Sequence, residues 1–218
     1  MNLPNKITLT RIFMIPVFVV VFYCGYLSEW CYLAAAIVFV LAAATDALDG
    51  HIARSRNLVT DFGKFLDPIA DKVLVSTALI VILTDFRLFY NIGMLSEPPV
   101  FLVFSITMGV CVALILAREL IVSGFRIIAA GKHLVLAADK LGKIKTTMQD
   151  VAIVVILVAM SILETSAGIW FAFVGLAFLV ISTILTVISG VNYIVKNKQV
   201  LADSNEKMEE THPEEESK

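Results

Sequence analysis

Apolar runs separated by short polar clusters dominate the chain, and their lengths set the expected architecture. Residues 7–27, 31–54, 61–84, 98–130, 145–164 and 168–195 each supply about 20 or more mainly apolar positions, enough for a helix to cross roughly 30 Å of hydrocarbon. The pattern predicts an all-α polytopic membrane protein with six transmembrane helices. The run at 98–130 exceeds what the bilayer needs, so its second half, from Arg118 onward, is expected in the cytoplasm or its headgroup zone. Pro4 and the Thr8–Arg11 stretch predict an amphipathic N-terminal lead-in at the inner surface. The first run has no small-residue cleavage site ahead of a soluble domain, so it is expected to stay as a span.

Composition agrees. Of 218 residues 59% are hydrophobic and 17% charged, with a mean hydropathy of +0.88. A soluble domain of this size could not hide so much apolar surface in one core. The net charge of −2 conceals two unlike parts. Residues 199–218 carry seven acids and two lysines, whereas residues 1–198 carry 15 basic and 12 acidic side chains. We therefore expect a membrane domain over 1–198 and an acidic, disordered cytoplasmic tail over 199–218. With both termini inside, every lysine and arginine except Arg87 falls on the cytoplasmic side, a strong positive-inside signal. Cys24, Cys31 and Cys111 form no CxxC and read as packing residues. Nothing suggests a nucleic-acid partner.

The few acids within the apolar runs carry the chemistry. Asp46 and Asp49 are three residues apart and Asp67 and Asp71 four apart, so each pair shares a helix face. A short link near 55–60 lets the two helices run antiparallel, bringing four carboxylates together just inside the membrane surface. Such a cluster needs neutralising, and an oxygen-only donor set suits hard divalent cations such as Mg²⁺ or Mn²⁺. Two such ions would suit phosphate chemistry. Intramembrane acids also line ion-coupled transporters, and that reading stays open at this point, although these acids sit at helix ends rather than mid-bilayer.

Asp46-x2-Asp49-Gly50-x2-Ala53-Arg54-x8-Gly63-x3-Asp67-x3-Asp71 resembles, without departure, the signature of the CDP-alcohol phosphatidyltransferase family. The six-span layout with cytoplasmic ends resembles that family as well. The resemblance implies transfer of a phosphatidyl or similar group from a CDP-linked donor to an alcohol, with release of CMP. It implies that Asp46, Asp49 and Asp67 ligate one divalent ion, that Asp46, Asp67 and Asp71 hold a second, and that Asp71 is the general base. Gly50 and Arg54 would contact the CDP moiety, with Thr60 as a further polar contact. Asp61 lies outside the motif and reads as a helix N-terminal acid. Lys64 and Lys72 read as snorkelling or pairing with nearby acids.

Three further stretches, Asn2–Arg11, Ala117–Arg126 and Gly142–Thr146, resemble family members that use glycerol 3-phosphate, which implies CDP-diacylglycerol as donor and that acceptor. Arg118 and Arg126, eight apart on one helix face, would bind the acceptor phosphate together with Lys140, Lys143 and Lys145; Arg offers a bidentate fork for it. Positive-inside topology or contact with anionic membrane lipids is the competing reading of each. Asn5 and Thr8 would be nucleotide or headgroup contacts. Glu119 could orient an arginine. Serine or inositol phosphate remain alternative acceptors. The resemblance further implies a homodimer in the bacterial cytoplasmic membrane, with the site facing the cytoplasm. Gly168 and Gly175 would serve helix packing or a dimer seam.

Overall fold

The computed structural model describes residues 3–55, 61–95, 98–131 and 140–198; within these ranges the side chains at 3–6, 46–55, 61–65, 67–68, 95, 140–141 and 143 are not described. The described residues form helices and short turns, with no strand among them. Seven helices follow in order: α1 (Leu3–Tyr23), α2 (Trp30–Ser55), α3 (Asp61–Leu83), α4 (Phe86–Leu95), α5 (Pro98–Gly131), α6 (Lys140–Ser161) and α7 (Ser166–Lys196). Each of the six apolar runs holds one long helix. The short α4 lies where the sequence pattern shows only a connection. The lead-in at residues 3–11 is no separate element either, because α1 is helical from Leu3 onward and carries Pro16 within it.

Among the described residues, Ile7–Tyr26, Pro98–Gly131, Ile144–Ser161 and Ser166–Lys196 are long and apolar enough to cross a membrane. Ile69–Leu83 with Phe86–Met94 makes a fifth candidate, bent by 44°. The apolar part of α2 is shorter, Trp30–Thr45, because it stops where the Asp46 motif begins. α5 runs unbroken for 34 residues, about 51 Å at the helical rise, so it outreaches the hydrocarbon as its sequence predicts.

Side-chain contacts fix the direction of each helix. At one end of the bundle Arg11 of α1 reaches Thr45 of α2, Lys72 of α3 reaches Ser123 of α5, Lys145 of α6 reaches Glu119, and Arg118 reaches Ser189 of α7. At the other end Tyr32 of α2 donates to Asp85, which follows α3. The six long helices thus alternate in direction, and Leu3 and Lys196 lie at the same end. α1 packs on α2 and α3, α2 also on α6, and α7 on α5 and α6. The main core is built on Phe18, Phe22, Tyr32 and Phe39, with Leu74, Leu79, Ile153, Ile156 and Leu179 beside them. Phe22 meets the Tyr32 ring edge-on at 5.4 Å, a favoured aromatic geometry.

Gly168 and Gly175 are used within the chain. A Cβ at Gly168 would strike the Ile162 carbonyl, and one at Gly175 would lie 2.5 Å from Ile156 Cγ1. The α6–α7 hairpin closes on these two positions, which resolves the choice between helix packing and a dimer seam. The cysteines are free: Cys111 is buried, Cys24 and Cys31 partly so.

Candidate active site

The helices α2 and α3 carry the carboxylate motif. The backbone is helical through Ser55 and again from Asp61, so Asp46 and Asp49, and Asp67 and Asp71, are each one turn apart on their own helix. Asp61 begins α3, as its reading as a helix N-terminal acid requires. The side chains of Asn5, Asp46, Asp49, Arg54 and Asp67, the surroundings of Gly50, and all of Thr60 lie outside what the structure describes. Asp71 is described: half-buried and engaged by a neighbour. Among the described residues no three His, Cys, Asp or Glu side chains gather as a metal site, three of the four motif carboxylates being outside them. The donor set at the motif positions is all oxygen, which fits Mg²⁺ or Mn²⁺ rather than a soft metal.

Arg11 on α1 adjoins this motif and was not among the expected site residues. It is fully buried, and its Nε donates to Thr45 Oγ1 at 3.3 Å. Thr45 in turn donates to the Ala42 carbonyl at 2.6 Å and immediately precedes Asp46. A guanidinium withdrawn from water demands negative charge nearby. Thr8, one turn before Arg11, is also buried, which places this expected donor-site residue at the same helix junction. An arginine inside an apolar helix was the signal for Arg11, the same one that marks Arg118.

The second centre is Glu119 on α5. Its Oε1 accepts from Arg118 Nη1 at 2.9 Å and from Lys145 Nζ of α6, and its Oε2 lies 3.7 Å from Lys72 Nζ of α3. Lys72 also donates to Ser123 Oγ, whose hydroxyl donates to the Glu119 carbonyl one turn back. Arg118 Nη2 donates to Ser189 Oγ of α7 at 3.1 Å. Ser182 of α7 donates to the Lys145 carbonyl at 3.1 Å. Four helices, α3, α5, α6 and α7, converge here through these polar contacts. Among the described ion pairs, three cations face this one carboxylate in a partly buried setting. Such a cluster is disfavoured unless an anion completes it.

Of the expected acceptor residues, the structure brings Arg118 and Lys145 together. Arg126 stands apart, about 12 Å further along α5. Its Nε donates to Tyr193 Oη at 3.3 Å and its guanidinium lies over the Tyr193 ring, 5.4 Å from the centroid. Lys140 and Lys143 have side chains outside the described residues. Lys72 pairs with an acid, as its reading in the sequence allows, yet that acid is Glu119, 47 positions away in the chain. No local pattern could have named it.

Residues 1–188 match the CDP-alcohol phosphatidyltransferase family. The chain belongs to this family. CDP-alcohol phosphatidyltransferase relatives cover it nearly end to end. It is 39% identical over 216 residues to the CDP-diacylglycerol–glycerol-3-phosphate 3-phosphatidyltransferase of Bacillus subtilis, with 94% of this chain and 99% of that protein covered. The Escherichia coli K12 protein of the same name is 34% identical over 204 residues, with 93% and 98% covered. The Shigella flexneri protein, also so named, is 35% identical over the same length. The matched region contains both the α2–α3 carboxylate motif and the Glu119 centre. In a CDP-alcohol phosphatidyltransferase the open transporter reading of the acids falls away.

Proposed function

We propose that this enzyme transfers the phosphatidyl group of CDP-diacylglycerol to the free hydroxyl of glycerol 3-phosphate, giving phosphatidylglycerophosphate and CMP. The observation that carries the reading is the pairing of two centres at one end of the bundle. The carboxylate motif lies on the end of α2 and the start of α3, and one residue beyond Asp71 begins a cluster of three cations around Glu119. The first centre suits a diphosphate donor with divalent ions; the second suits an acceptor that carries its own phosphate. The names of the relatives match this pair of substrates. Serine lacks a phosphate to occupy the cluster, which disfavours it as acceptor.

Asp46, Asp49, Asp67 and Asp71 would hold two divalent ions, Mg²⁺ or Mn²⁺, which when bound supply charge stabilisation at the donor diphosphate. Asp71 takes the proton of the acceptor hydroxyl as its oxygen attacks the phosphorus that bears diacylglycerol. The bond from that phosphorus to the CMP oxygen breaks, and CMP departs. Gly50 leaves room for the nucleotide, Arg54 pairs with the diphosphate, and Thr60, Asn5 and Thr8 complete the donor contacts. Arg11 balances the motif charge from α1. Arg118 and Lys145, with Lys140 and Lys143, hold the acceptor phosphate. Arg126 serves the rim, where anionic lipid headgroups lie.

The same reading places six spans in the bacterial cytoplasmic membrane with both termini and the site at the cytoplasmic face. The apolar 16 residues of α2 reach about 24 Å, and the motif beyond them sits at the membrane edge. A homodimer is part of this reading. The test is CMP release by the purified protein from CDP-diacylglycerol. It should require glycerol 3-phosphate and Mg²⁺ or Mn²⁺, stop on chelation and resume on metal addition. Asp71→Asn should abolish turnover without changing the unfolding temperature; substantial residual activity would remove Asp71 as the base. CMP release that follows serine or inositol phosphate instead would replace the acceptor.

A further inference from the structure

The geometry points to Lys72 as a direct ligand of the acceptor phosphate and the residue that sets preference for a phosphorylated alcohol, an inference that rests on the function proposed above. The three cations around Glu119 are not equivalent. The Lys145 side chain is 8% exposed and that of Arg118 14%, and both are hydrogen-bonded to Glu119 Oε1. The Lys72 side chain is 32% exposed and stands 3.7 Å from the other carboxylate oxygen. Its hydrogen bond goes to Ser123, a neutral hydroxyl whose own proton is committed to the Glu119 carbonyl. Of the three cations, Lys72 is thus the most accessible and the farthest from the carboxylate.

The position on α3 strengthens the case. Lys72 follows Asp71 directly, so the proposed base and this ammonium are carried by consecutive residues of one helix. Consecutive side chains diverge by about 100° around a helix, so the long lysine arm turns to Ser123 and Glu119 of α5. An acceptor with a hydroxyl at one end and a phosphate at the other would bridge from Asp71 to it. Three cations around one carboxylate among the described ion pairs suit a phosphomonoester, which carries about −1.5 to −2 at neutral pH. Glu119 acts as a positioning residue: it draws cations from three elements to one place while leaving enough charge for the ligand. The anion could also be the diphosphate of the donor lipid, and the kinetics separate the two.

The experiment is steady-state kinetics of Lys72→Met, Lys72→Arg and Ser123→Ala in detergent micelles with each substrate varied. Lys72→Met should raise KM for glycerol 3-phosphate by about tenfold or more, with KM for CDP-diacylglycerol and kcat changed by less than about threefold. Its relative use of unphosphorylated glycerol over glycerol 3-phosphate should rise by a similar factor. Lys72→Arg should recover most of the loss. Ser123→Ala, which only frees the ammonium, should move the same KM by a smaller factor and carries the test should Lys72→Met fail to fold. An unchanged KM for glycerol 3-phosphate, a rise in the donor KM instead, a loss confined to kcat, or an arginine variant no better than methionine would overturn the assignment. A wild-type protein inactive with glycerol 3-phosphate would instead overturn the proposed function.

Discussion

Two glycines on α7 show how similar residues serve unlike ends. Gly175 faces the α6 helix, where an added Cβ would lie 2.5 Å from Ile156 Cγ1 and 3.3 Å from the Ile156 backbone nitrogen. Backbone cannot step aside cheaply, so Gly175→Ala should destabilise by about 1–3 kcal/mol and lower the unfolding temperature in detergent. Gly190 faces the Arg118 side chain, with a Cβ 2.9 Å from its Cγ and 3.1 Å from its Nε. A long side chain can yield, but only by leaving Ser189 and Glu119. Gly190→Ala should therefore leave thermal unfolding nearly unchanged and raise KM for glycerol 3-phosphate by roughly threefold to tenfold, the worth of a charged hydrogen bond. Loss of stability without a KM change would show that Gly190 serves packing alone.

At the scale of elements, helix ends decide what the sequence could and could not show. The long apolar runs mark six helices to within a few residues, because twenty apolar positions admit few alternatives. The motif spacing marks which helix faces carry the carboxylates, since the period of a helix is known in advance. The short α4 escapes that logic. Its 10 residues are too few for a span, and what starts it is a local cap by Asp85 that a distant tyrosine holds in place. Asp85 is buried; its Oδ1 accepts from the Leu88 N–H and its Oδ2 from Tyr32 Oη, each at 2.9 Å. Beside it Arg87, the one cation expected outside, donates to the Gly25 carbonyl and to Glu29 Oε1, both at 2.8 Å. In the Glu119 cluster the adjacent Arg118 partner was legible, whereas the links from Glu119 to Lys145 and Lys72 and from Arg118 to Ser189 span 26, 47 and 71 positions and were not. Asp85→Ala removes a helix cap and strands the Tyr32 hydroxyl, so it should cost on the order of 2–3 kcal/mol. Since Asp85 lies at the opposite end from both centres, KM for either substrate should stay unchanged. A shift in KM would show that the two ends of the bundle are coupled.

For the whole molecule, alternation of the six long helices turns a charge pattern along the chain into a charge pattern in space. Arg11, Lys72, Arg118 and Lys145 come to one end although they belong to four helices. Glu119 lies 21 residues into α5, about 32 Å from Pro98, close to one hydrocarbon thickness. On the membrane placement proposed above, the polar centres would fall where α5 leaves the bilayer, which would let a lipid donor enter sideways and a water-soluble acceptor from the aqueous side. The opposite end exposes Leu27 and Trp30 and, on α4, Phe86, Tyr90 and Met94, side chains suited to the far interface. This predicts sidedness directly. In a variant with the native cysteines replaced, Leu27→Cys should react with a membrane-impermeant maleimide on intact bacterial cells. Asn197→Cys, at the end shared by both centres, should react only after the membrane is opened. The reverse pattern would turn the protein over and place Asp71 and Lys72 on the side without glycerol 3-phosphate or CMP metabolism. Labelling of both positions from outside would break the alternation of the long helices itself.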